Sequence, residues 1–383
     1  MNDLPQVHPR SCPRLCVVEP VSNHPMLAVA ALAASSFAHT APLTDGVHRP
    51  RASARHQSCA IKSIAPEDDR ADIMHTDSWS SARSVAGQPI YSRPSTVDAK
   101  TLVEVHQHPM SWRSLVFIDD RVGVQSVVKV DDTTGLAEPT AIASEYLKTM
   151  AAVALSARGD VPTRRILMLG MGAGSMCSLL SHCCPEAVQI DAVELDGAVA
   201  EAACGPLGLD TSRIDVHVDD ALVWLNRRAE QQRRVAVEDE QRTRDGTGCK
   251  DERYDLICID IFDGLNRTPE PFYSKPFLAD LRACLSAQGV VVHNLHSGGA
   301  DLDRRLEDAC AMYAEAFPNA ACRVPSLRRG NTVVGVAAFD GAFSSLDALQ
   351  ASAQSERHRR GLLFDASARL SRLAPLSWAV AEH

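Results

Sequence analysis

The chain changes character near residue 100, where scattered small and polar residues give way to regular apolar segments. Residues 1–99 are rich in Ser, Ala, Pro, His and Arg and lack a sustained hydrophobic period, so we predict a mostly unstructured leader. Residues 112–118 are strand-like, Asp119-Asp120 is a turn signal, and residues 122–130 offer further strand. The sequence therefore predicts a small antiparallel β segment over residues 100–135.

Between residues 140 and 340, short apolar runs alternate with helical patterns, beginning with a helix over 141–157. The predicted buried strands that follow cover residues 166–169, 190–195, 214–218, 254–259 and 289–295. Strands that alternate with helices specify an α/β fold, a mostly parallel, doubly wound Rossmann-like sheet with helices on both faces. Residues 321–324 and 332–339 flank a short turn and predict an antiparallel hairpin at the sheet edge.

Two segments depart from this alternation. Residues 226–253 are highly charged, and we predict the end of a helix followed by a flexible surface insertion. Residues 341–383 carry leucines at helical spacing, which predicts a C-terminal tail of one or two packed helices.

Composition limits the classes of function. The net charge of -9 argues against a dedicated nucleic-acid binder, and no apolar run is long enough to predict a membrane span. Twelve cysteines without a C-x-x-C pair fit a reducing, cytoplasmic compartment. Residues 1–65 carry few acids and several arginines, a bias that leaves organellar import open.

A glycine-rich loop is the first candidate for chemistry. Gly170, Gly172 and Gly174 lie between a predicted strand and its helix, where glycine lets the backbone approach a ligand closely. The third glycine comes one residue earlier than in the G-x-G-x-x-G pattern of dinucleotide sites. Glu194 ends the next strand, 20 residues after Gly174, where a carboxylate can accept hydrogen bonds from ribose hydroxyls.

Further acids end the third and fourth strands. Of the pair Asp219-Asp220 we favour Asp220 as a hydrogen-bond acceptor for an adenine amino group, with Ala221 beside it, and Asp260 ends the fourth strand. In open α/β sheets, ligands bind outside the carboxyl ends of the strands. We therefore predict one adenosyl-cofactor site at this edge. His293 lies near the end of the fifth strand, where a structural role and a place in the lining of the substrate pocket both fit, and we take it as a candidate substrate residue; no metal site is predicted.

Residues 165–294 resemble the spermidine synthase-like branch of S-adenosylmethionine-dependent methyltransferases. Residues 115–125 are similar to the family's N-terminal β segment, and the runs 169–175 and 190–196 resemble in particular the C-terminal domain of the dual methyltransferases that modify translation elongation factor 1 alpha. The resemblance implies a class I methyltransferase sheet. It also implies that S-adenosylmethionine, or its decarboxylated form, is bound by Gly170, Gly172, Gly174, Glu194 and Asp220. To these we add Ala221 and Asp260, which follow strands at the same edge, as predicted cofactor-binding residues.

Two departures bear on the reaction. Aminopropyltransferases of this branch carry an Asp where the chain has Ala173, and a small polar pair in their catalytic Asp-Ser-Ser/Thr-Asp segment where it has Ile261 and Phe262. Both departures favour methyl transfer. The residues that carry over from the family's polyamine site are Asp260 and Asp263 for catalysis and Gln125 and Tyr273 for the substrate.

We therefore expect a methyltransferase that acts on an amine of a protein or small molecule. An aminopropyltransferase of polyamine synthesis is the alternative, and a cofactor fold that binds a partner without catalysis is the third hypothesis. An amine nucleophile must be neutral, and Asp260 could accept its proton; a role only in capping the strand or binding the cofactor fits the sequence equally well. The edges of the N-terminal strands could pair two subunits in a homodimer.

Overall fold

A small antiparallel sheet precedes the main domain. The computed structural model describes residues 15–17, 88–118, 122–242, 252–263, 267–328 and 330–376; the predicted turn at Asp119-Asp120 and most of the predicted leader lie outside them. The small sheet contains, in spatial order, β2 (Tyr91–Pro94), β3 (Leu102–Gln107), β4 (Trp112–Ile118) and β5 (Val122–Lys129). The predicted N-terminal antiparallel segment is thus confirmed.

The larger sheet is mostly parallel. Its strands are β1 (Leu15–Val17), β6 (Arg165–Leu169), β7 (Gln189–Glu194), β8 (Ile214–Val218), β9 (Tyr254–Ile259), β10 (Leu285–His296), β11 (Ala321–Pro325), β12 (Asn331–Ala337) and β13 (Ala374–Pro375). They lie in the order β1-β8-β7-β6-β9-β10-β12-β11-β13. The pairs from β1 to β10 are parallel, and β12, β11 and β13 pair antiparallel at one edge. The predicted sheet and its edge hairpin are confirmed.

Helices connect these strands and cover the sheet. They are α1 (Glu145–Arg158), α2 (Ser175–Cys183), α3 (Gly197–Cys204), α4 (Ala221–Arg242), α5 (Lys275–Cys284), α6 (Ala300–Ala316), α7 (Leu346–Arg360) and α8 (Ala366–Arg369). The strand order reverses between β6 and β9, and such a switch point is where open α/β sheets bind ligands. No helix in the described part of the chain is both long and apolar enough to cross a membrane.

The small sheet packs against the main domain through an apolar cluster. Val103, Val105 and Leu115 meet the small side chains of α3 in this cluster. The Tyr91 hydroxyl donates to the Ala198 carbonyl (2.9 Å), and the Thr96 amide donates to Asp196 (3.0 Å). The sheet is therefore fixed beside the glycine-rich loop, which lies between β6 and α2.

Several boundaries differ from the predicted ones. β1 and β2 lie within the segment predicted as leader, and β10 begins at Leu285 instead of residue 289. α4 continues to Arg242, so the charged segment 226–253 is helical over most of its length. Glu, Gln, Arg and Ala are strong helix formers and can extend a helix without an apolar stripe. An ion pair of Arg233 with Asp280 of α5 (2.6 Å) holds this part of α4 against the domain.

The C-terminal tail covers α1, which is buried along nearly its whole length. β10 and β12 lie on one side of α1, and α7 and α8 contact another. The Ser352 hydroxyl of α7 donates to the Ser156 carbonyl (3.0 Å). α7 and α8 of the tail therefore hold α1 against the sheet.

Candidate functional site

The glycine-rich loop leaves no room for a side chain at Gly170 or Gly172. Gly170 has φ +79°, and a Cβ there would lie 2.2 Å from the Asp260 carbonyl oxygen. Gly172 has φ +53°, and a Cβ would lie 2.7 Å from the Ser126 Oγ of β5. Gly174 begins α2 with φ +80°. The loop is therefore a bare backbone cradle between β9 and the small sheet.

Gly170→Ala is expected to lower the free energy of unfolding by about 2 kcal/mol more than Gly135→Ala does. Both glycines have positive φ, but a Cβ at Gly135 meets nothing within 4 Å. The control variant therefore measures the backbone strain alone, and the difference measures the collision with the Asp260 carbonyl. Urea unfolding of both variants gives the two values, and equal losses would contradict the close approach.

Glu194 is bound directly to this loop. Its Oε2 accepts hydrogen bonds from the amides of Met171 (3.1 Å) and Gly172 (3.0 Å), and its Oε1 accepts from the Asp196 amide (3.2 Å). Burial raises the pKa of Glu194, while these backbone donors favour the charged form. The carboxylate is thus held against the backbone of the loop.

Asp220 lies next along the same edge. The Asp219 amide donates to the Glu194 carbonyl (3.0 Å), which places the end of β8 beside the end of β7. One carboxylate oxygen of Asp220 accepts from the Leu222 amide (2.8 Å) and so caps α4 just before Ala221. Leu195, which follows Glu194, is 50% exposed. This edge therefore presents two acids and an apolar side chain side by side, an arrangement suited to a ribose and an adenine ring.

Asp260 lies on the other side of the loop, where each of its oxygens accepts one hydrogen bond. Oδ1 accepts from the Asn294 Nδ2 (3.0 Å) and Oδ2 accepts from the Tyr146 hydroxyl (3.1 Å). Burial raises the pKa of Asp260 to about 6, against the opposing effect of these two donors. Burial and the nearby Asp260 also raise the pKa of Tyr146, so its hydroxyl stays protonated and donates.

A narrow cavity joins Asp260 to the glycine-rich loop. It is lined by Ser126, Val127, Ser144, Tyr146, Leu147, Met168, Met171, Ser175, Met176 and Asp260. Apolar and polar side chains share this lining, and burial among them raises the pKa of the one carboxylate within it.

Tyr146 and Asn294 were not predicted as site residues. Asn294 lies near the end of β10, at the same edge as the acids, so the strand-end argument could have found it. Its Oδ1 accepts from the Asn331 Nδ2 (3.2 Å), which turns its NH₂ group towards Asp260. Tyr146 lies in the first turn of α1, 114 residues from Asp260 in sequence, and no local pattern indicates that contact.

The other predicted catalytic and substrate residues lie apart from this cavity. Asp263 accepts hydrogen bonds from the Arg267 Nε (2.9 Å) and amide (2.9 Å). Tyr273 is buried and hydrogen-bonded to Arg305 of α6. Gln125 is exposed at a β-bulge between β4 and β5. Its neighbour Ser126 is the β5 residue that touches the loop.

The expectation that His293 lines the substrate pocket needs correction. The ring is fully buried, and its Nδ1 is 2.8 Å from the Tyr313 hydroxyl of α6. Burial lowers the pKa of His293 to about 3, so the imidazole is neutral. Successive side chains of a strand point to opposite faces, and Asn294 rather than His293 faces Asp260. Among the described residues, no group of three His, Cys, Asp or Glu side chains could hold a metal ion.

Known proteins similar to this chain are transferases of two kinds. A polyamine aminopropyltransferase of Vibrio vulnificus (strain CMCP6) is 32% identical over 154 residues, which are 40% of this chain and 44% of that protein. An eEF1A lysine and N-terminal methyltransferase of Xenopus laevis is 29% identical over 159 residues, 40% of this chain and 20% of that protein. The chain thus covers less than half the length of these relatives. No protein-family model matches it.

A solved structure shares the fold. A probable spermidine synthase from Corynebacterium glutamicum ATCC 13032 superposes with a TM-score of 0.51 at 19% identity, covering 71% of this chain and 94% of the other. At this identity the likeness concerns the fold alone. Together with the relatives above, it confirms the resemblance to the spermidine synthase-like branch and the Rossmann-like class I architecture.

Proposed function

We propose that the chain is a transferase that uses S-adenosylmethionine to methylate an amine of a protein or small molecule. The observation that carries this proposal is the edge formed by Glu194, the glycine-rich loop and Asp220. A Cβ at Gly172 would collide with the Ser126 Oγ, so the loop stays bare backbone there, and Glu194 is fixed against its amides. These groups suit the ribose and adenine of an adenosyl cofactor, with Leu195 against the ring.

The cavity beyond the loop supports a transfer reaction. A bound S-adenosylmethionine would supply the methyl group from its sulfonium and would leave as a neutral thioether. The chain's own task is to align the acceptor and to take up a proton from it. Asp260 faces the cavity and is positioned by Asn294 and Tyr146. It would orient the amine and accept its proton.

Three contacts favour methyl over aminopropyl transfer. Asp263 is neutralised by Arg267, which leaves it poorly suited to bind a polyamine cation. Phe262 stands where aminopropyltransferases of this branch have a small polar residue, and its ring packs on the His296 ring with centroids 4.1 Å apart. Ala173 is buried in the apolar cluster under the small sheet, where an Asp side chain would be desolvated. Aminopropyl transfer in polyamine synthesis stays the alternative, supported by the Vibrio vulnificus relative.

Calorimetry with the two donors tests this choice. We expect the protein to bind S-adenosylmethionine at least about tenfold more tightly than its decarboxylated form, because a methyltransferase must select the first donor. An aminopropyltransferase must instead select the decarboxylated form. Preference for the decarboxylated donor would overturn methyl transfer, and binding of neither would support a partner-binding module without catalysis. Transfer of labelled methyl to poly-L-lysine or putrescine then distinguishes protein from small-molecule amines. A cytoplasmic location and a homodimer through the small sheet stay predictions.

A further inference from the structure

The first turn of α1 carries Tyr146 to Asp260, but it lacks the usual side-chain cap. Ser144 is the N-cap residue and makes no side-chain cap hydrogen bond. Free amides at a helix start are normally satisfied by such a cap, and helix ends without one fray. Another contact must therefore keep the Tyr146 hydroxyl within 3.1 Å of the Asp260 carboxylate.

That contact comes from the C-terminal tail. Glu145, which directly precedes Tyr146, accepts hydrogen bonds through Oε1 from the Lys148 Nζ (2.8 Å) and from the Arg369 Nη2 of α8 (3.2 Å). All three side chains are at least nine-tenths buried. The Arg369 Nη1 also donates to the Asp365 carbonyl (3.0 Å), which fixes the guanidinium within the tail. The tail thereby holds the first turn of α1 across 224 residues of sequence.

We infer that Arg369 is a positioning residue of the active site, which acts through Glu145 to keep the Tyr146 hydroxyl on Asp260. The inference rests on the proposed function for its consequence in catalysis, but the placement of Tyr146 can be measured without turnover. α8 and α1 pack directly on each other, so the effect needs no change elsewhere in the fold.

Arg369→Met is the variant that tests this role. It leaves Glu145 paired with Lys148, so no lone charge is buried and the fold is expected to survive. Arg372→Met is the matched control, because Arg372 is an exposed arginine of the same tail. Arg369→Lys keeps the charge and is expected to restore part of the effect. Tyr146→Phe shows the result of losing the hydroxyl completely.

The first readout is the titration of the Asp260 carboxyl carbon by NMR, assigned with Asp260→Asn. A hydrogen bond to the carboxylate lowers the pKa of the acid. We therefore expect Arg369→Met to raise the pKa of Asp260 in the same direction as Tyr146→Phe, and Arg372→Met to leave it unchanged. If Tyr146→Phe shifts the pKa of Asp260 and Arg369→Met does not, the inference is overturned. It is also overturned if Arg369→Met lowers thermal stability but leaves the pKa of Asp260 unchanged.

The second readout is catalysis. We expect kcat of Arg369→Met to fall about tenfold, since misplacing a catalytic group by about 1 Å can cost up to about 100-fold. Affinity for S-adenosylmethionine should stay within twofold, because Arg369 contacts the Asp260 side of the site only through α1. If no amine is methylated by the wild-type protein, the proposed function fails, whereas the NMR titration still decides the role of Arg369.

Discussion

Asp260→Asn is expected to slow methyl transfer by about 1,000-fold, within the range that removal of a general base usually costs. Asparagine keeps the size of the side chain and can still face Tyr146 and Asn294, but it cannot take up the proton of the amine. Binding of S-adenosylmethionine should change little, because Glu194 and Asp220 lie on the other side of the loop. Single-turnover transfer of labelled methyl to the best amine, with calorimetry of the donor, measures both quantities.

The control for this variant is Asp347→Asn. Asp347 is exposed in the first turn of α7, so the replacement also removes one negative charge but touches no part of the site. Its rate should equal that of the wild type. An Asp260→Asn enzyme within about tenfold of the wild-type rate would contradict the proposed proton transfer and would leave Asp260 a capping or cofactor residue.

The pH dependence of the methyl-transfer rate tests the same role of Asp260. Asp260 accepts a proton only when charged, and its pKa is about 6 in the protein, so the rate should fall as the pH drops below that value. A bound sulfonium favours the carboxylate and moves this limb to lower pH. The acceptor amine has its own ionisation, which cancels in the ratio of wild-type to Asp260→Asn rates. That ratio should shrink towards one in acid; a ratio independent of pH would exclude Asp260 as the base.

The strand-end acids could be predicted from sequence because one topological rule covers them. A buried apolar run that stops at an acid places that acid at the carboxyl edge of a parallel sheet, and Glu194, Asp220 and Asp260 all follow this pattern. The glycine-rich loop follows from the same rule. The rule does not specify the face of a strand, so it cannot distinguish His293, which is buried against α6, from Asn294, which faces Asp260.

The features that could not be predicted from the sequence depend on contacts between distant parts of the chain. Tyr146 meets Asp260 only because the sheet, α1 and the tail pack together, and its own sequence neighbourhood shows an ordinary helix. Asp263 matched the spacing of a family motif, but only the structure shows that Arg267 pairs with it. The length of α4 was underestimated for a different reason. Its charged residues lack an apolar period, yet helix propensity and the ion pair to Asp280 suffice to extend it.

Glu194→Gln is expected to weaken binding of S-adenosylmethionine by about 100-fold, equivalent to about 2.8 kcal/mol. A glutamine loses the charge that strengthens hydrogen bonds from ribose hydroxyls. It also places an NH₂ group opposite one of the amides that Glu194 now accepts from, those of Met171, Gly172 and Asp196. Glu201→Gln is the control, because Glu201 is exposed on the neighbouring α3. The Glu201→Gln protein should bind the cofactor as tightly as the wild type does.

S-adenosylhomocysteine separates the two ways in which Glu194 could act. It has the same adenosine as S-adenosylmethionine but lacks the sulfonium charge. If Glu194 binds the ribose, as its place at the glycine-rich loop implies, Glu194→Gln should weaken both ligands by the same factor. A much larger loss for S-adenosylmethionine would mean that Glu194 acts on the positive charge and that the adenosine lies elsewhere. Equal affinities in wild type and variant would contradict cofactor binding by Glu194, on which the proposed function depends.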